Sequence, residues 1–278
     1  MENLVENISK SVAIELLFEE MPTRPTANAI FREARKIFGD INIINRDEND
    51  IEFSVDKFVA YNEDNTTSPV VLAMGNITDF DDKVAVSEFE RTQIWNVANS
   101  EELLSKYKYA LKIWDVNAQR QIPKERAIML VDWLNVALKL YPKCQAIWIK
   151  SAGKLQLAQS IKNLKETMVN IRFFNVPNTN EFIVDSVGLA NIGLSDVQFH
   201  FKGMNPNKVA NLAYSLARYI LNNDDIMIKD GDTIDGMNDE GKMTPEVQWI
   251  CRYEDSLIEP LRPVLDIDTG KYAAGDRN

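Results

Sequence analysis

Three aspartates in a short glycine-containing stretch come nearest to the spacing of a metal site. Asp230, Asp232 and Asp235 lie within Asp230-Gly231-Asp232-Thr233-Ile234-Asp235-Gly236, and carboxylate oxygens are the ligands that Ca²⁺ and Mg²⁺ prefer. An EF-hand loop needs glycine at its sixth position and glutamate at its twelfth. Counted from Asp230, glycine falls at the seventh position and the twelfth residue is Gly241. The spacing therefore predicts a solvated turn, with a looser cation site as the alternative.

The only histidine, His200, is the candidate for acid–base chemistry. An imidazole can transfer protons near neutral pH, and Asp232, Glu254 and Asp255 are the carboxylates that could act with it. Glu254 and Asp255 are adjacent, so on a strand their side chains point to opposite faces and cannot act together directly. With one histidine and no Cys/His cluster, the sequence offers no zinc site, and no Gly-x-Ser-x-Gly motif supplies a nucleophile. A structural histidine is the competing interpretation.

One further pattern resembles a catalytic motif. Ser151-Ala152-Gly153-Lys154 has the Ser-x-x-Lys spacing of serine β-lactamases, in which a lysine one helical turn away activates the serine. The Ser-Asp-Asn and Lys-Thr-Gly partner motifs are absent, so we interpret the segment as a strand-to-helix loop capped by Ser151. No phosphate-binding glycine loop or dinucleotide fingerprint occurs, and we expect no cofactor.

The elements that must position these residues repeat one outline three times: an alternating apolar strand, a loop with a proline, then an amphipathic helix. Such strand-to-helix units are the building blocks of layered folds. They predict an α+β fold of mixed or antiparallel sheets with helices packed on them, in ferredoxin-like lobes. The second helix is apolar on nearly all sides, which predicts a buried, central position. The units are Ile14–Phe18 with Pro25 and a helix to Phe38, Ala110–Trp114 with Pro123 and a helix to Tyr141, and Val197–Phe201 with Pro206 and a helix to Asn222.

No Gly/Ser-rich or proline-rich linker divides the chain, so we expect one continuous body over residues 1–278. Within it we predict an N-terminal lobe (8–100), a central βαβ unit (101–168), a C-terminal lobe (169–268) and a flexible tail (269–278). Pattern and turn residues predict the remaining elements. These are strands at 41–44, 51–55, 70–74, 247–253 and 263–267, a hairpin of 169–176 with 181–187, and a helix from Leu155 to Glu166.

Composition limits the classes of partner. The chain has 278 residues, of which 45% are hydrophobic, and a formal net charge of −11. An acidic chain is unsuited to nucleic acid or to an anionic membrane surface, both of which attract clustered lysine and arginine. Cys144 and Cys251 lie in apolar, strand-like segments, as buried thiols of a reducing compartment do. With no signal-peptide pattern and no apolar helix of membrane-spanning length, we expect a cytoplasmic protein.

The C-terminal half carries motifs that resemble those of an uncharacterised bacterial family, known as domain of unknown function number forty-two sixty-one. The resemblance extends over about residues 145–268, and it implies a cytosolic bacterial protein without implying an activity for any residue. The motifs are Gly188–Phe201, Asn205–Ala210, Asp230–Gly236, Arg252–Leu257 and Pro263–Asp266.

Two main hypotheses about function remain. The first is a non-enzymatic protein-interaction module, of the accessory or immunity type, whose acidic surface binds another protein with a basic surface. The alternative is an enzyme with carboxylate-based or metal-assisted hydrolytic chemistry in the C-terminal lobe, using the Asp230–Asp235 loop with Glu254, Asp255 or His200. A small-ligand sensor with a pocket between lobes is a third hypothesis.

Overall fold

A computed structural model describes residues 11–46, 50–161, 167–223 and 228–275. Contacts between Cα atoms group the described residues into two compact units. The N-terminal unit is Ser9–Met168 with Asn191–Gly193, and the C-terminal unit is Val169–Ala190 with Leu194–Asn278. The single body with three lobes stays a prediction. The predicted boundary after residue 168 coincides with the boundary between Met168 and Val169 that divides the two units.

The N-terminal unit is built on a seven-stranded sheet in the order β2-β3-β4-β5-β1-β6-β7, in which all neighbours are antiparallel. Because β1 lies antiparallel between β5 and β6, these two strands are parallel to each other, and α5 connects them. Two parallel strands joined by a helix thus occur here, with β1 between them, while the central unit of residues 101–168 stays a prediction. The strands are β1 Ala13–Phe18, β2 Ile41–Arg46, β3 Ile51–Tyr61, β4 Thr67–Asp79, β5 Tyr109–Val116, β6 Ala146–Ile149 and β7 Lys154–Leu157. The helices are α1 Ala27–Phe38, α2 Asp82–Ala85, α3 Glu88–Arg91, α4 Ser100–Lys106 and α5 Pro123–Leu140.

Helix α5 packs against α1, β3 and β5, and nearly half of its residues are buried. Pro123 occupies the first helical turn, where its missing N–H costs nothing. Trp133 is fully buried, makes edge-to-face contacts with Phe38 and Phe53, and donates its indole N–H to the Ala73 carbonyl at 3.0 Å. One side chain thus joins α1, α5 and the sheet, and satisfies its own polar group.

The C-terminal unit contains a six-stranded sheet in the order β11-β12-β13-β10-β9-β8. Strands β10 and β13 are parallel and the other neighbours are antiparallel. Helix α6, Pro206–Asn222, packs on β8, β9 and β10 and is capped by Asn205, whose side chain accepts from the Asn207 N–H. The strands are β8 Asn170–Asn175, β9 Glu181–Val187, β10 Asp196–Lys202, β11 Thr233–Met237, β12 Met243–Asp255 and β13 Pro263–Asp268. The α+β class with antiparallel and mixed sheets is confirmed, and the ferredoxin-like arrangement stays a prediction.

One predicted helix is wrong where the structure describes it. Lys154–Leu157 forms β7 rather than the start of a helix, and residues 162–166 lie outside the described residues. The local apolar spacing is compatible with either structure, and pairing decides between them. Leu155 lies opposite Trp148 of β6 and is fully buried there, an interaction that a helix at this position could not make.

The segment after β13 is packed in the structure. Gly270–Tyr272 forms a 3-10 turn, Ala273 bridges to Phe201, and Ala274 is buried. The flexibility predicted for this tail concerns motion and stays a prediction. No helix among the described residues has the length and apolar character that crossing a membrane requires.

Candidate functional site

His200 lies on β10 between two fully buried phenylalanines that face the other side of the sheet, as the alternation predicts. Its Nε2 atom is 3.0 Å from Oε2 of Glu181, which lies on the neighbouring strand β9. Gly275 packs against the ring so closely that a Cβ atom there would lie 2.7 Å from Nδ1. The imidazole is therefore held between a carboxylate and the chain near its end.

The three candidate metal ligands organise the β11–β12 hairpin instead of meeting at one point. Asp230 Oδ1 accepts from the Tyr253 N–H at 2.9 Å, and Asp232 Oδ2 accepts from the Lys229 N–H at 2.7 Å. Asp235 lies within β11 and accepts from the side-chain amide of Gln248 at 2.9 Å. The predicted loop is thus partly a strand, because Thr233 to Met237 pair with β12. Among the described residues, no group of three His, Cys, Asp or Glu side chains could hold a metal ion.

The candidate catalytic residues do not converge. Asp232 lies at the β11 edge, where its carbonyl accepts from the Cys251 N–H of β12, and His200 lies on β10 beyond both β12 and β13. Three strand spacings separate them by about 14 Å. Glu254 and Asp255 are exposed at the C-terminal end of β12, opposite Val264 and Pro263 of β13 and three and four residues beyond Cys251. The structure therefore does not place His200, Asp232 and Glu254 in one cleft.

Neither the serine–lysine motif nor the cysteines show the geometry of a nucleophile. Lys150–Ala152 is a 3-10 turn, and Gly153 takes the left-handed conformation (φ 57°) that closes the β6–β7 hairpin. Ser151 and Lys154 are thus not one helical turn apart. Burial raises the pKa of Cys144 to about 12, and burial with Asp232 and Asp266 nearby raises that of Cys251 to about 11. Both thiols are therefore protonated near neutral pH.

The main charged feature of the C-terminal unit was missed by the sequence analysis. Arg172, Asp185, Gln198 and Asp266 lie opposite one another across β8, β9, β10 and β13, and all four are buried. Directly paired residues share one face of a sheet. Together with Asp196 and Arg262, which are also buried, we call these residues the buried charge cluster.

Two arginines connect the carboxylates of this cluster. Arg172 forms two bonds to Asp185, from Nε to Oδ1 at 2.9 Å and from Nη2 to Oδ2 at 2.5 Å. Arg262 bridges Asp185 at 2.7 Å and Asp196 at 3.0 Å. Asp196 also accepts from the Ser186 hydroxyl at 2.8 Å. Burial raises the pKa of Asp196, and the Arg262 guanidinium opposes that shift.

The cluster fixes the loop of residues 256–262, which connects β12 to β13. The Leu257 N–H donates to Gln198 Oε1 at 2.8 Å, and Arg172 donates to the Glu259 carbonyl at 2.7 Å. Arg262, at the loop's end, donates to the Ile258 and Pro260 carbonyls at 3.1 and 2.9 Å. The polar atoms are used in bonds within the protein, which is the arrangement of a structural network.

Comparison with known proteins covers this part of the chain. Residues 185–268 match a family model described as a domain of unknown function (DUF4261). The match confirms the resemblance over those residues, while 145–184 lie outside it. The buried charge cluster, apart from Arg172, falls within the DUF4261 match. No curated protein matches the chain, and no solved structure matches it.

A second feature lies outside the DUF4261 match, between β4 and β5. Residues 79–102 hold seven acidic and two basic side chains, a net charge of −5, and we call this segment the acidic cover. Its buried side chains pack in one cluster with Trp148 and Leu155 of the sheet. Those side chains are Phe80, Val86, Ile94 and Val97.

Arg91 holds the acidic cover together. It donates to Asp82 of α2 at 3.0 Å and to Glu101 of α4 at 2.7 Å, so one side chain of α3 joins three short helices. Burial alone would lower the pKa of Arg91, but these two bonds raise it above its usual value. A reciprocal pair of bonds between Ser87 and Glu90 caps α3. The cover is thus a folded element and not a loose loop.

Proposed function

We propose that this protein is a non-enzymatic protein-interaction module, of the accessory or immunity type, and that the acidic cover is the surface that binds its partner. One observation carries the proposal. Within the acidic cover, three large hydrophobic side chains are exposed: Val84 at 83%, Phe89 at 45% and Trp95 at 49%. Exposed apolar side chains surrounded by polar residues are typical of protein-binding sites.

The connectivity of the sheet supports the same surface. Strands β4 and β5 are antiparallel neighbours, and a hairpin loop of about 2–5 residues would connect them. Residues 80–108 connect them instead. A connection of this length serves a purpose other than joining two strands, and an aromatic residue such as Trp95 often contributes strongly to binding.

Charge indicates the class of partner. The acidic cover supplies nearly half of the net charge of −11, and such a field favours encounter with a basic surface. We propose a partner protein with a basic surface and an apolar residue that contacts Phe89 and Trp95. The partner is neither nucleic acid nor membrane, and the complex forms in the cytoplasm.

The alternative, a hydrolytic enzyme in the C-terminal unit, receives less support. Its candidate residues lie apart, and Asp230, Asp232 and Asp235 each hold the β11–β12 hairpin. An enzymatic hypothesis would need groups that converge on one reacting atom.

Photo-crosslinking in cells of the native host tests the proposal. A photoreactive phenylalanine analogue replaces Val84 in one version of the protein and Ile44, which is also exposed (54%) but lies on β2, in the control. We expect a basic protein to be crosslinked from position 84 and not from 44, with a yield that falls as salt rises. Phe89→Ser with Trp95→Ser should abolish this crosslink. The same proteins captured from both positions, or a crosslink that survives the double substitution, would contradict the proposal.

A further inference from the structure

The loop of residues 256–262, here called the β12–β13 loop, closes a hairpin whose strands pair up to the loop itself. Asp255 of β12 lies opposite Pro263 of β13. About 2–5 residues commonly close such a hairpin, and residues 256–262 form a longer connection. Binding residues lie disproportionately on loops that a rigid scaffold positions. The length of the loop therefore calls for a reason beyond joining two strands.

The backbone of the β12–β13 loop is fixed by hydrogen bonds. The carbonyls of three consecutive residues, 258–260, all accept from the buried guanidinium groups of Arg172 and Arg262. At the base of the loop, the Ser256 N–H donates to the Arg262 carbonyl at 2.9 Å, and the Arg262 N–H donates to the Ser256 hydroxyl at 3.1 Å. The Leu261 N–H donates to Oε2 of Glu259 at 2.9 Å. The loop therefore holds one conformation before any partner binds.

The same loop turns apolar side chains to solvent. Leu257 is 53% exposed and Leu261 is 45% exposed, and Ile258 between them is partly exposed. Loops that only connect strands are usually polar, and burying guanidinium groups to hold a loop costs desolvation energy. A rigid loop with exposed leucines suits binding instead, because fixing the backbone in advance reduces the entropy lost when a partner binds.

Charge indicates what the loop binds. Glu254, Asp255 and Glu259 are exposed, and residues 253–261 contain no lysine or arginine. These carboxylates favour a surface with basic residues and repel an acidic one. A second copy of this chain is unsuited, since each copy carries a net charge of −11.

We propose that the β12–β13 loop is a preorganised binding loop for a protein with an apolar surface that is surrounded by basic residues. Leu257 and Leu261 contact the apolar surface, and the three carboxylates pair with the basic residues around it. The buried charge cluster acts as the support that keeps the loop in its binding conformation. The proposal does not rest on the acidic cover, because none of these residues belongs to that segment.

Hydrogen exchange on the free, full chain tests the preorganisation. Although their side chains are exposed, Leu257 and Leu261 donate their N–H groups to other side chains of the protein. Both amides should therefore exchange about a hundredfold more slowly than in an unstructured peptide. Exchange of both amides at the unprotected rate would overturn the proposal.

Photo-crosslinking in cells of the native host tests the binding surface. A photoreactive phenylalanine analogue replaces Leu257 in one version of the protein and Met243, which is 47% exposed at the start of the same strand β12, in the control. We expect a basic protein to be crosslinked from position 257 and not from 243. No product specific to position 257, or a product that consists of two copies of this chain, would overturn the proposal.

Binding of the captured protein, once purified, then decides whether the loop is its site. Leu257→Ser with Leu261→Ser should lower the affinity in isothermal titration calorimetry by about tenfold or more. Glu254→Gln with Asp255→Asn should slow association, and this effect should shrink as salt rises. Met243→Ser is the matched control and should change neither quantity. Hydrogen exchange of the β13 amides shows that each variant is folded.

An affinity that the two leucine substitutions leave unchanged would overturn the proposal. The acidic cover is intact in all of these variants. Failure at the β12–β13 loop is therefore distinguishable from failure of the proposed function, which crosslinking from Val84 tests separately.

Discussion

Replacing Arg262 by methionine gives the sharpest test of the buried charge cluster. In the folded chain this guanidinium donates to the carboxylates of Asp185 and Asp196 and to three backbone carbonyls. The substitution keeps much of the side-chain volume and removes the charge. Asp185 retains Arg172 as its cation, whereas Asp196 retains only the Ser186 hydroxyl and the N–H groups of two neighbouring residues.

The expected loss follows from the burial of Asp196, which is not exposed at all. Removing one partner of a buried ion pair typically costs about 3–5 kcal/mol, because the other charge remains without compensation. Combining Asp196→Asn with Arg262→Met removes the carboxylate charge that would otherwise remain buried without a cation. The double variant should therefore be more stable than Arg262→Met by about 1–3 kcal/mol.

Hydrogen exchange in increasing urea measures this effect in the C-terminal unit, because exchange of the β10 and β13 amides reports their opening free energy. Tryptophan emission would be a poor probe, since four of the five tryptophans precede Trp249 and lie in the N-terminal unit. Arg252→Met, an exposed arginine on β12, is the matched control and should change stability by less than about 0.5 kcal/mol.

The pH dependence of the stability loss in Arg262→Met tests whether the uncompensated charge of Asp196 causes it. An aspartate whose folded pKa is raised destabilises the fold above its unfolded pKa, by an amount that grows as pH rises. Arg262 opposes this shift in Asp196, so its loss should matter most at neutral pH and less as pH falls toward about 4. Three results would refute this reasoning. They are a stability loss under about 1 kcal/mol for Arg262→Met, no regained stability in the double variant, and a stability loss that grows as the pH falls.

Three further predictions concern single side chains. Glu33 bonds to Lys139, and this lysine together with Lys36 lowers the pKa of Glu33 to about 2. The carboxylate therefore stabilises the fold above pH 4.5, and this contribution decreases as the pH falls toward 2. Lys139→Met should raise the Glu33 pKa in a carboxyl NMR titration, and an unchanged pKa would contradict this. Trp133→Ala should cost about 3–5 kcal/mol in urea unfolding, because it empties a fully buried site; a loss under about 1 kcal/mol would contradict the central role of α5. Gly236→Ala places a Cβ atom 2.7 Å from the ring of Trp249. The opening free energy that hydrogen exchange reports for the β11 amides should therefore fall by about 1–3 kcal/mol. Unchanged exchange would show that the ring can move aside.

Local sequence patterns were sufficient for most of the elements. Alternation identified β1, β5 and β10, and prolines placed the starts of α5 and α6. The prediction failed at Lys154–Leu157, where short apolar spacing fits helix and strand equally. Pairing with β6 resolved that ambiguity, and pairing partners depend on contacts that a local pattern does not contain.

The candidate site was harder to predict, for a reason visible in the buried charge cluster. Asp185 and Asp196 lie in largely apolar strands, and Arg262 is far along the chain from both. Each alone resembles an exposed strand position. Only the register between β9, β10 and β13 brings them together. Conversely, Asp230, Asp232 and Asp235 are close in sequence, but the hairpin uses each carboxylate separately.

The buried charge cluster and the acidic cover use their charges in opposite ways, and this difference indicates where function is to be sought. In the C-terminal unit, buried carboxylates and guanidinium groups bond one another, so replacing one destabilises the fold before it can alter binding. In the N-terminal unit, the acidic cover turns most of its charges and Trp95 to solvent. Such groups can be replaced at little cost in stability. Changes in binding without unfolding are therefore expected at such exposed groups and not within the buried charge cluster, although the DUF4261 match contains most of that cluster.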